Sequence, residues 1–234
     1  MSLTYNTFGN TLVAMMAGSA ADADYQTVLP SIIDYSEQRI YRELDLISTV
    51  TRDTSASLTA NSRNFTLPTA NGRFVVVSGV NLLSAGVRVA QLDPASLDYL
   101  DASWPSETAA SVSTVPRYFA MLTDQTVVVG PPPGSVFNVE VIGTIRPTPL
   151  SSTNQTTFLT SYLPDLFLSA SMIFASGFQK NFGAQSDDPK MSASWEAQYE
   201  LLKASADAEE ARKKFAGASW TSKRLEPTAQ PQRG

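Results

Sequence analysis

The chain has 234 residues, 43% of them hydrophobic and 17% charged, and a net charge of −5. That allows one large domain or two small ones with a proper core, and the acidic balance argues against wrapping nucleic acid, which needs a basic surface. It contains no cysteine and no histidine, which removes disulfides, thiolate chemistry, His-dependent triads and most zinc sites, so the composition points away from an enzyme.

No run reaches the roughly 18 apolar residues of a membrane span. The apolar stretch 12–17 has no Lys or Arg before it, so a secretory signal is not expected either. The expectation is a soluble protein made in a cytoplasm.

Residues 1–21 fit two readings. One is a short helix carrying Leu12, Val13, Met15 and Met16, capped by Asn10 or Thr11 and ending near Gly18. The other is an arm that pairs with a neighbouring subunit. Residues 22–46 read as a helix through Tyr25, Leu29, Ile33, Ile40 and Leu44, with a polar turn at Ser36 and Glu37. Pro30 is expected to open the regular helix. Gln38, Arg39, Arg42 and Glu43 are expected on its wet side, the arginines in local ion pairs.

From Ser48 to Thr148 the texture changes to Val, Thr, Ser, Gly and Pro with period-two patterns. Strands are predicted over 49–54, 64–67, 73–80 and 87–92, with a turn at Asn71-Gly72 and a reset at Gly86. Asp93 is expected to cap a helical turn through Tyr99 and Leu100, closed by Trp104-Pro105. Residues 106–115 read as a loop. Segments 117–122 and 126–129 form a hairpin. The proline-filled stretch 130–134 reads as an exposed link unable to join a ladder. Phe137, Val139, Val141 and Ile145 alternate with Asn138, Glu140 and Thr144, a strand with one wet face. The total is five to seven antiparallel strands inserted between two helical parts.

After a polar linker, Phe158, Tyr162, Leu166, Ala170, Phe174 and Phe178 recur at steps of four, with Pro164 near the start of the helix. Residues 180–189 bend into a long final helix over 187–217. Asp187 or Asp188 caps it, Pro189 lies in its first turn and Gly217 closes it. Met191, Trp195, Tyr199, Leu202 and Ala206 draw one apolar stripe. Glu196, Glu200, Lys203, Asp207, Glu209, Glu210, Arg212, Lys213 and Lys214 occupy the other faces. These two helices form an antiparallel hairpin, with helix 22–46 as third member. Packing is assigned to Trp195, Tyr199, Leu202, Phe174 and Ile40. Residues 218–234 hold three cations and one anion with little apolar content, which reads as an extended tail. Trp220 in that tail reads as an anchor for a partner's pocket.

The fold class is therefore α+β: a helical bundle of three to four helices, an inserted antiparallel β-rich domain and an extended C-terminal tail. The boundaries are 1–47, 48–149, 150–217 and 218–234.

No catalytic, cofactor or metal site emerges. Asp93, Asp98 and Asp101 lie where turns and caps use aspartate, and Asp187-Asp188 lacks calcium-loop spacing. There is no phosphate-binding glycine loop, no nucleophile elbow and no Ser/Lys pair. An alternative reading, a carbohydrate- or cell-wall-active tail protein, would use Asp98 and Asp101 as paired carboxylates across an open cleft.

The order of blocks resembles the head-to-tail adaptor (connector) proteins of tailed bacteriophages, of the short-tailed kind. The blocks are IIDYSEQRIYREL at 32–44, LDPASLDYLDASWP at 92–105, PRYFAMLTDQTVVVGPPP at 116–133, IRPTPLSSTNQTTFLTSYLPDLFLSASM at 145–172 and SWEAQYELLKASADAEEARKK at 194–214. The resemblance implies a virion structural protein without enzymatic activity or cofactor. It implies a ring, usually of twelve copies, beneath the portal. The C-terminal segment would grip the portal, here through Trp220, Lys223, Arg224, Leu225 and Pro227. The β-rich part would face a tail nozzle or tail tube, and DNA would pass only as cargo through the channel. Assembly would take place in the host cytoplasm, with no membrane involved.

Overall fold

The computed structural model describes residues 3–106, 108–177 and 191–217. The fold is α+β: two helices, a seven-stranded sheet interrupted by one short helix, then three helices.

Helix α1 (Tyr5–Met15) starts six residues before the expected caps, because Thr4 and Thr7 form a reciprocal capping box. It packs against its own chain, stacking Phe8 on Phe167 with ring centroids 4.4 Å apart. Helix α2 (Ala23–Glu43) is capped by Asp22, and Pro30 lies inside it rather than opening it. The turns before the proline are tied down elsewhere, by the Tyr25 hydroxyl donating to the Gly9 carbonyl at 2.6 Å. The polar turn at Ser36 and Glu37 is buried. Ser36 donates back to the Ile32 carbonyl, and Glu37 accepts from the backbone of Leu150.

The strands are β1 (Val50–Leu58), β2 (Asn64–Thr66), β3 (Gly72–Ser84), β4 (Val87–Pro94), β5 (Tyr118–Thr123), β6 (Thr126–Gly130) and β7 (Phe137–Pro147), ordered β1-β7-β3-β4-β5-β6-β2. The edge strands β1 and β2 approach each other, so the sheet curls almost closed. Ala85 and Gly86 both have positive φ, the backbone that a two-residue hairpin between β3 and β4 requires.

One pairing departs from the antiparallel expectation: β4 and β5 run parallel at Asp93–Tyr118 and Pro94–Phe119. Asp93-Pro94 is therefore strand rather than cap. Ser96 caps the short helix α3 (Leu97–Ser103), which with the loop after it supplies the long crossover that a parallel pair needs. Gly130 belongs to β6, opposite Tyr118, and Pro132 and Pro133 are buried. Residues 108–115 pass beside this stretch, with the Gly134 N–H donating to the Thr114 carbonyl at 2.8 Å. A Cβ on Gly134 would lie 2.1 Å from the Ser111 carbonyl oxygen.

Strand β7 is flanked by β1 and β3, and its supposed wet residue Glu140 is buried. The periodic run after the linker splits into α4 (Phe158–Tyr162), capped by Thr157, and α5 (Pro164–Gly177). Helix α6 (Met191–Gly217) packs along α5. Phe178, the bend 180–189 and the Asp187/Asp188 cap lie outside the described residues. Two large cores result. One joins α1, α2, α4, α5 and α6, and the other fills the curled sheet.

Candidate functional site

The residues assigned to helix packing meet in one place. Ile40 and Tyr199 are fully buried in the helical core, and Phe174, Trp195 and Leu202 pack against it half-buried. At the surface of this contact Arg39 of α2 reaches α6. Its Nη1 donates to the Glu196 Oε2 at 2.9 Å, Nη2 donates to the other oxygen, and Nε donates to Glu43 at 2.9 Å. The guanidinium lies 4.3 Å from the Tyr199 ring centroid, a cation–π contact. The Tyr199 hydroxyl donates to Glu43 at 2.9 Å, and Lys203 donates to the same carboxylate oxygen at 3.2 Å.

Arg39 thus makes its local pair and a second, long-range one with α6. Burial works to raise the Glu43 carboxyl, but hydrogen bonds from Tyr199, Arg39 and Lys203 outweigh it and hold it below the usual range. The hydrogen bond from Arg39 holds Glu196 low as well. The Tyr199 phenol is pushed up by its burial and by donating to Glu43.

Glu210 corrects the reading of α6. It continues the apolar stripe one turn past Ala206 and is buried. It accepts the Ile47 backbone N–H at 2.9 Å and an ion pair from Lys213 at 2.8 Å. These bonds fasten the end of α6 to the short 3-10 turn Ile47–Thr49 that enters the sheet.

A second carboxylate, Glu140, is held inside the sheet. Asn81 donates to it at 2.6 Å, and Arg88 and Arg52 approach at 3.1 and 3.4 Å. The hydrogen bond from Asn81 leads in keeping Glu140 ionised well below the ordinary carboxylate range. Hydropathy alone could not have found Glu37, Glu140 or Glu210, because their partners come from distant parts of the chain.

The carboxylates of the carbohydrate reading do not face one another across a cleft. Asp98 is exposed in the first turn of α3, and Asp101, one turn on, pairs with Arg63 at 3.0 Å. Among the described residues no group of three or more acidic, His or Cys side chains could hold a metal ion. No helix there is long and apolar enough to cross a membrane.

Among the described residues, large apolar side chains are exposed on both the helical and the sheet side. On the helical side Leu201 is 75% exposed and Phe215 60% exposed on α6, and Tyr162 of α4 is exposed beside Phe158. On the sheet side Val75, Met121 and Leu122 are exposed around a groove of about 660 Å³. The groove is lined by Phe74 and Val77 of β3, Met121 and Leu122 of β5, and the side chains of Arg73 and Arg146. The tail residues Trp220, Lys223, Arg224, Leu225 and Pro227 lie outside the described residues.

Two comparisons bear on these surfaces. No curated protein matches the chain. A family model described as SU10 adaptor protein matches residues 8–222, which takes in both helical parts and the whole sheet. The chain belongs to the SU10 adaptor protein family, whose role is that of a structural adaptor of bacteriophage virions.

Proposed function

We propose that the protein is the head-to-tail adaptor of a short-tailed phage. In this reading, copies of the chain form a ring of twelve beneath the portal, extend the DNA channel and join the capsid to a nozzle or tail tube. The helical part is a bundle that packs around the ring, the sheet 48–149 faces the tail, and the tail 218–234 grips the portal through Trp220, Lys223, Arg224, Leu225 and Pro227. DNA is passing cargo, and an acidic channel wall would repel it rather than bind it.

The observation that carries this reading is the family match over residues 8–222, and large apolar side chains exposed on both the helical and the sheet side support it. A heterologous ring, in which each copy meets two different neighbours, would cover such side chains on both sides. Electron microscopy of the purified full-length chain mixed with its portal ring tests it. The expected image is a second ring of matching symmetry stacked on one face of the portal. Portal rings that stay bare at micromolar concentrations of the chain would overturn the reading.

A further inference from the structure

Strand β4 fills only part of the interval between β3 and β5 among the described residues. Strand β4 pairs with β3 only along Val80–Ser84, then meets β5 at Tyr118 and Phe119 and leaves the sheet as α3. Among the described residues, positions 72–79 of β3 therefore have β7 on one side and no strand on the other. Positions 120–123 of β5 have β6 on one side and no strand on the other. The groove of about 660 Å³ lies between these two open edges.

The 124–125 turn closes its far end. Gln125 Nε2 donates to the Phe74 carbonyl at 3.3 Å, and Asp124 lies 3.5 Å from Arg73. The walls are mixed, with apolar Leu67, Phe74, Val77, Met121 and Leu122 beside polar Thr123, Asp124 and Arg146. Two buried atoms here have no partner, the Arg146 Nε donor and the Gln125 Oε1 acceptor.

We propose that this slot receives an extended segment of another protein as an added strand, with apolar side chains at alternate positions and a carboxylate that meets Arg146. Open strand edges on both sides supply main-chain hydrogen bonds, and the exposed Val75, Met121 and Leu122 supply the side-chain contacts. Charge selects the occupant. Arg73 already has Asp124, whereas Arg146, whose side chain lines the groove, has no carboxylate partner among the described residues. This chain's own tail, residues 218–234, carries three cations and one anion, the wrong sign for the slot. The proposal deepens the reading of the sheet as the tail-facing side and rests on it only for the partner's location; ring formation and portal docking do not depend on it.

Fluorescence anisotropy with the full-length chain and a labelled, end-capped peptide, Thr-Val-Glu-Val-Thr-Ser, tests the slot. Saturable binding is expected, about tenfold weaker for the peptide with Lys in place of Glu and about fivefold weaker for Arg146→Gln. Leu122→Arg, at an exposed position that the fold does not need, is expected to abolish it. Hydrogen exchange at residues 75–78 and 120–123 should slow when the Glu peptide is bound. Absence of saturable binding, equal affinity for the Glu and Lys peptides, or indifference to Leu122→Arg each overturns the proposal. If Leu122→Arg instead breaks self-association in sedimentation while peptide binding is absent, the slot belongs to a second copy and the acidic partner is wrong. Portal binding by Leu122→Arg is measured alongside: its retention keeps the adaptor reading intact whichever way the peptide result falls.

Discussion

Glu37 of α2 and Leu150, 113 residues further along the chain, are joined inside the helical core. The Leu150 N–H donates to both carboxylate oxygens, at 3.2 and 3.4 Å. Leu150 follows β7, so this bond fastens the chain leaving the sheet to the helix that precedes the sheet. The Ile47–Glu210 bond fastens the other crossing, where the chain enters the sheet, to α6. Both passages between the helices and the sheet are thus pinned by a buried carboxylate accepting a backbone N–H.

Glu37 makes stability fall as pH rises. Burial pushes its carboxyl up from an ordinary 4.5 to about 7, the Leu150 N–H works against that shift, and Asp34 adds to it. Tyr41, whose hydroxyl is buried without a partner, also faces it. With the folded value above the unfolded one, this contribution is fully present below pH 4.5 and is lost as pH rises through 7. Glu37→Gln keeps an acceptor for Leu150 and removes the charge. It should match the parent chain at pH 4.5 and be more stable by on the order of 1–3 kcal/mol at pH 8.5. Urea midpoints of both chains at the two pH values check this.

Much of the architecture was legible in the sequence because hydropathy period reports which side of an element is covered. Trp195, Tyr199, Leu202 and Ala206 face the helical core as their spacing requires, and Asn71-Gly72 and Gly86 mark real changes of direction. The failures share a cause. Ser36, Glu37, Glu140 and Glu210 are polar residues on buried faces, each satisfied by a group that period cannot see. Asp93-Pro94 has turn composition, yet it is held as strand by Tyr118 and Phe119, which arrive only after α3. The groove was invisible for the same reason, since it exists only where β4 leaves β3 and meets β5.

Arg39 is not replaceable by lysine. Its fork binds two oxygens of Glu196 while its plane stacks on Tyr199, and an ammonium offers neither geometry. Glu196 is 42% exposed at its side chain, so water screens the pair and the coupling stays modest. Arg39→Lys should cost about 1 kcal/mol. A double-mutant cycle with Glu196→Gln should return a coupling of about 0.5–1.5 kcal/mol that shrinks in 1 M salt. A coupling near zero in low salt would mean that the α2–α6 contact rests on packing alone.

Glu140→Ala should be among the more damaging substitutions in the sheet. It leaves Asn81 buried without its acceptor and strips Arg88 of its carboxylate. Removing one member of a buried charged cluster costs roughly 3–5 kcal/mol. Arg52 and Arg88 are about half exposed and can turn to water, so about 2–3 kcal/mol is expected here. Glu140→Gln, which still accepts from Asn81, should recover at least half of that loss. Thermal unfolding of the three chains at pH 7 gives the ranking, and equal losses for Ala and Gln would show that charge rather than the Asn81 bond is what matters.

On the proposed reading, removing the tail should separate folding from assembly. Positions 218–234 carry little apolar content, three cations and one anion, too little to add to a core, so a chain ending at Gly217 should unfold at the temperature of the full-length chain. If the tail grips the portal, the same truncation should abolish co-sedimentation with portal rings. Trp220→Ala should weaken binding by more than about 2 kcal/mol, some thirtyfold in dissociation constant, if the indole is the anchor. Exchanging Lys223 and Arg224 for glutamine should act more weakly and in a salt-dependent way, because rim charges mainly affect association. A truncated chain that still decorates portal rings would move the docking surface back to the exposed Leu201 and Phe215 face of α6, where substitutions would then be needed to block it.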